Sequence, residues 1–90
     1  MEKKTINNGA KLLKALANEK RLQIISVLEN KELKVGELEK KIGLSQSALS
    51  QHLAILRATD IVSTRRLAQN VFYAVKNKTA LQIVELLKEQ

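Results

Sequence analysis

Gln46, Ser47, Ser50 and Gln51 are the residues whose types and spacing point most directly to chemistry. Each is neutral and carries both a hydrogen-bond donor and an acceptor. A Gln amide can bond adenine with two parallel hydrogen bonds, and a Ser hydroxyl can bond several bases. At about 100° per residue, a helix over 46–57 gathers these four on one arc with Ala54 and Arg57. Leu49, Leu53 and Leu56 fall on the opposite side. A face that is merely solvated usually mixes Glu and Lys, whereas this arc carries no carboxylate to repel phosphate. The arc therefore suits the base edges of duplex DNA; the alternative is a polar surface with no ligand.

A second basic group lies further along. Arg65, Arg66, Gln69 and Asn70 sit between two β-rich runs, Ile61–Thr64 and Val71–Val75. Arginine is favoured in a narrow minor groove by the negative potential there. The competing reading is a charged strand edge that discourages aggregation. Leu67 lies among them without an evident role. Arg57 and Arg21 are candidates for the DNA backbone, Arg21 equally for a structural ion pair. His52 lies at the flank of the apolar side of its helix, which suits packing or a phosphate better than a base. No second strong ligand stands near it, so a metal is not expected.

Composition narrows the classes. The net charge of +7 attracts polyanions. With no Cys, disulfides, thiolate metal sites and thiol switches are excluded from this chain. No G-x-G-x-x-G or Walker pattern occurs, and no nucleophile–base pair or carboxylate dyad stands out. An enzyme is not expected, nor is a cofactor. No apolar run approaches the roughly 20 residues of a membrane span, and the N-terminus does not read as a secretory signal, so a cytoplasmic location is expected.

The elements that must position these side chains follow from periodicity. Helices are predicted over 5–17, 19–29, 36–42, 46–57 and 78–88, with Asn18 and Ser45 as caps and Gly43 ending the third. A short extended piece is expected near Leu33–Val35. The β-rich runs make a hairpin, a wing over about 61–76. The 90 residues form one domain, mainly α with a β-hairpin, in the order α-α-α-α-β-β-α. Val35–Ile42, Gly43-Leu44 and Ser45–Arg57 have the form of a helix-turn-helix, about 35–57. With one Phe, one Tyr and no Trp, the core is small and aliphatic. Apolar helix surface is left over, which points to a dimer.

Four segments carry a resemblance to a known family: ALANEKRLQI at 15–24, LKVGEL at 33–38, LSQSALSQHL at 44–53, and VFY at 71–73. Together they resemble the ArsR/SmtB family of winged helix-turn-helix regulators, over about residues 10–88. The run TRRLAQ at 64–69 is most similar to its NolR and HlyU-like branch. The resemblance implies a homodimer formed through the first and last helices, about 5–17 and 78–88, with Leu13, Leu16, Leu81, Val84 and Leu87 at the interface. It implies a recognition helix in each major groove, with base contacts from Gln46, Ser47, Ser50 and Gln51, and a wing in each flanking minor groove. Metal-sensing members carry Cys in the segment where Lys34 and Gly36 stand here, or Asp and His pairs on the last helix, which 78–90 lacks. Persulfide-sensing members use two Cys. No metal or small-molecule effector is therefore expected. The function implied is a regulator of transcription that binds a palindromic operator. It would repress by blocking polymerase, or activate by displacing a silencing nucleoprotein, as in HlyU-like proteins. The rival class is a winged helix used for protein interaction, which calls for a large apolar patch on the outer arc.

Overall fold

A few polar side chains set where the helices begin. In the computed structural model, which describes residues 1–90, helix α1 spans Lys3–Leu16 and α2 spans Glu19–Val27. Asn18 separates them. Its side-chain oxygen accepts the backbone N–H groups of Lys20 (3.0 Å) and Arg21 (3.1 Å), donors that a helix start leaves unpaired. Strand β1, Leu33–Lys34, leads straight into α3, Val35–Ile42. There Glu37 reaches back to accept the Lys34 backbone N–H at 2.9 Å. Gly43 stops α3 with φ of 77°, a left-handed conformation that a Cβ would penalise. The Ser45 hydroxyl accepts the Ala48 backbone N–H at 3.2 Å and opens α4, Gln46–Ala58.

Helix α4 ends in a paired closure. The Ile61 N–H bonds the Leu56 carbonyl at 2.9 Å and the Asp60 N–H bonds the Arg57 carbonyl at 3.0 Å, with Asp60 at φ of 57°. The chain then turns at once into β2, Val62–Leu67, which pairs with β3, Asn70–Val75. The Ile61 carbonyl accepts from Lys76 (2.8 Å) and Asn77 (3.1 Å) and closes the base of the hairpin. Helix α5, Lys78–Lys88, begins where Asn77 accepts the Ala80 N–H at 3.0 Å.

Two features differ from the sequence reading. The sheet has three antiparallel strands in the order β1-β3-β2, not two. The short extended piece at Leu33–Lys34 pairs with Tyr73 and Phe72 and covers the free edge of β3. The hairpin turn is also much tighter than the basic run suggested. Arg65 and Arg66 lie on β2 and Asn70 opens β3, leaving Ala68 and Gln69 as the turn. Polar and charged residues suggest a loop, but ladder pairing keeps them extended: Arg65 lies opposite Phe72 and Arg66 opposite Val71. Ala68 takes φ of 55°, the positive value a two-residue hairpin demands.

The core is aliphatic, as the composition requires. Ile24, Ile25, Leu28, Leu38, Leu49, Leu53, Leu56 and Ile61 are fully buried in one cluster. Helices α2, α3 and α4 meet there, so α4 is held by its own leucines rather than by its polar side. An ion pair adds a surface tie between the turn after α2 and α5: Lys88 reaches Glu29 at 2.6 Å and, within α5, Glu85 at 3.3 Å. Hydrogen bonds with Glu85 and with Lys88 hold the Glu29 carboxyl below its ordinary value.

Candidate nucleic-acid interface

The buried and open sides of α4 divide as its period predicts. Leu49, Leu53 and Leu56 are buried, while Gln46, Ser47, Ser50, Gln51, Ala54 and Arg57 are all exposed. The side-chain hydrogen bonds made from this part of the chain involve Ser45, His52 and Thr59, and none of the four Gln and Ser residues. Their donors and acceptors face water and are free to bond a ligand without breaking an internal contact. The outer arc carries no exposed large apolar residue; Ile55, on the flank beyond Gln51, is the one such side chain on this helix.

The wing places its residues unequally. Arg66, Gln69 and Asn70 are exposed and make no side-chain ion pair. Arg65 is committed elsewhere. Its Nε and one terminal nitrogen grip both carboxylate oxygens of Glu32 at 2.9–3.3 Å. Its guanidinium carbon lies 4.8 Å from the centre of the Phe72 ring. The hydrogen bonds from Arg65 hold the Glu32 carboxyl below its ordinary value, and those to Glu32 raise Arg65 further. Arg65 thus pins the wing to the connector between α2 and β1. The sequence reading missed Glu32, because the pair joins residues far apart in the chain. Leu67 is exposed beside the turn and nothing in the subunit explains it.

Arg21 forms no ion pair with a carboxylate. Its Nε donates to the Ala15 carbonyl at 2.5 Å, and a terminal nitrogen lies 3.2 Å from His52 Nδ1. His52 is half-buried at the flank of α4, as its position on the helix implied.

The terminal helices correct part of the expected interface. Leu16 and Val84 are 3% and 6% exposed and fill the subunit's own core, so neither offers surface to a partner. Leu81 is half-buried against the same cluster. The apolar surface left on α1 and α5 is Ile6, Leu13, Leu86 and Leu87, with Leu13 at 56% and Leu87 at 47%. On both helices the apolar residues form two edges, and sequence spacing alone does not say which edge faces inward. No helix is long and apolar enough to cross a membrane.

A buried leucine stripe under a neutral polar arc, a glycine-closed turn before it and a hairpin after it make a winged helix-turn-helix. Residues 18–64 match the family model described as bacterial regulatory protein, arsR family. The chain belongs to the ArsR family. It is accordingly a DNA-binding regulator of transcription, not an enzyme, and falls in the NolR and HlyU-like branch. It is similar to transcriptional activator HlyU of Vibrio cholerae, with 54% identity over 83 residues, 89% of this chain and 77% of that protein. Nodulation protein NolR of Rhizobium meliloti is 50% identical over 90% of this chain and 66% of its own length. A biofilm growth-associated repressor of Xylella fastidiosa is 44% identical over 97% and 75%. The solved structure of Vibrio cholerae HlyU superposes with a TM-score of 0.90 at 50% identity, covering 99% of this chain and 96% of that one. Within this ArsR-family fold, no three His, Cys, Asp or Glu side chains gather as a metal site would require.

Proposed function

We propose that this chain acts in the cytoplasm as a homodimer that binds a palindromic operator and represses transcription by occluding the promoter. The outward display of Gln46, Ser47, Ser50 and Gln51 on a rigid α4 carries the reading. Two such helices related by a two-fold axis would enter successive major grooves about 10 base pairs apart. The four residues read base edges there, and Arg66, Gln69 and Asn70 of each wing meet the flanking minor groove. Arg57 adds backbone contact. Exposed Leu13 and Leu87, with Ile6 and Leu86, supply the subunit contact on the terminal helices. Lysine and arginine contacts with phosphate give most of the affinity and make it fall with salt.

A second reading keeps the same interface but has binding activate transcription by displacing a silencing nucleoprotein. The name of the HlyU relative, an activator, favours it, while the Xylella relative is named a repressor. Selection of bound duplexes from a random pool by the purified protein tests the shared part. A palindromic consensus with half-sites one helical turn apart is expected; enrichment without symmetry or sequence refutes it. In vitro transcription from a promoter bearing that consensus, with and without the protein, then separates repression from activation.

A further inference from the structure

We infer that Arg21 acts on DNA binding through His52, by fixing the imidazole tautomer with the proton on Nε2. His52 then donates a hydrogen bond to a backbone phosphate beside each recognition helix. This rests on the DNA reading of α4 given above. It assigns Arg21 a positioning role in place of the phosphate contact or ion pair expected of it.

Arg21 is held before it reaches His52. Its backbone N–H is tied to the Asn18 cap, and its Nε donates to the Ala15 carbonyl near the end of α1. What remains of the guanidinium points its terminal nitrogen at His52 Nδ1, 3.2 Å away. A guanidinium has donors and no acceptor, so Nδ1 must be the acceptor. An imidazole that accepts at Nδ1 carries its proton at Nε2. Nε2 makes no hydrogen bond within the subunit, and no buried side-chain nitrogen or oxygen in the chain lacks a partner. Nε2 therefore opens to solvent, as a lone donor. His52 neighbours Gln51 in sequence and lies on the flank of α4 rather than on its base-reading arc. The groups that border a helix seated in the major groove are phosphates, and contacts to them fix its register.

The chain's single His makes the test clean, because every imidazole signal comes from His52. Long-range proton–nitrogen spectra of the 15N-labelled full chain should show the Nε2–H tautomer, and Arg21→Met should produce a tautomer mixture. The DNA probe is the palindromic duplex that the wild-type protein selects, read by fluorescence anisotropy. His52→Gln, which keeps a nitrogen donor at a similar reach, should bind within about threefold of wild type, whereas His52→Ala should lose about tenfold or more per subunit. The salt slope should stay unchanged in both, since neither substitution removes a lysine or arginine contact with phosphate. An Nδ1–H tautomer in the wild type, equal losses in His52→Gln and His52→Ala, or full affinity in His52→Ala would each overturn the proposal. If Arg21→Met does not fold, the two His52 variants decide alone. A wild-type protein that selects no duplex overturns the DNA reading and this proposal with it, while the tautomer stands or falls by its own spectrum.

Discussion

Gln51→Ala is expected to separate recognition from stability. Gln51 is exposed and none of the internal side-chain hydrogen bonds of α4 uses it. Its removal should alter folding stability by no more than about 0.5 kcal/mol. A lost bidentate base contact costs about 1–3 kcal/mol. A symmetric dimer loses it twice, about 2–6 kcal/mol, or roughly 30-fold to 10⁴-fold in affinity for the selected operator. Non-specific binding should hold, because Gln carries no charge. Anisotropy titrations on the operator and on a scrambled duplex, each at several salt concentrations, measure both quantities. The expected result is a collapsed specificity ratio with an unchanged salt slope. Arg66→Ala should do the reverse, lowering affinity on both duplexes and reducing the slope by about 0.9 for each phosphate released, so about 2 per dimer. Undiminished preference for the operator in Gln51→Ala, or equal weakening on both duplexes, would refute the assignment.

Three further outcomes follow from the fold. Leu49→Ala removes a fully buried anchor of the recognition helix and should cost about 2–5 kcal/mol in a urea melt, a large share of the roughly 5–13 kcal/mol a domain of this size commands. Leu13→Glu puts a charge on exposed apolar surface of α1 and should shift sedimentation from dimer to monomer while the circular dichroism spectrum stays helical; a species that remains dimeric would move the interface elsewhere. Glu29 and Glu32 have folded-state values lowered from the ordinary 4.5, so the stability they lend is complete above that value and is lost as pH falls through the lower folded values. The urea midpoint should drop over that acid range, and less steeply in Glu32→Gln.

The helices were legible because their signals are local. Asn18, Gly43 and Ser45 mark boundaries by the hydrogen bonds and φ values their own types favour, and the arc of α4 follows from period alone. What escaped was decided by residues far apart in the chain. β1 exists because Leu33 and Lys34 meet Tyr73 and Phe72, and nothing in two residues announces a strand. Arg65 read as a free wing cation because Glu32 is invisible to it until the sheet forms. Leu16 and Val84 read as interface residues because an apolar edge looks the same whether its own subunit or another covers it. The wing tip closed tighter than its charged sequence suggested, since a ladder tolerates arginine on its open side.

Strand β1 has a mechanical consequence out of proportion to its two residues. It runs without interruption into α3 and is hydrogen-bonded to β3, while α4 closes directly into β2. The helix-turn-helix and the wing are therefore joined at both ends, like the two arms of a calliper. A base pair inserted between the bases under α4 and the groove under the wing displaces one target by about 3.4 Å and rotates it about the duplex. If α4 reads bases and the wing meets the flanking groove as proposed, this joining makes the distance between the two contacts as much a part of the operator as its letters.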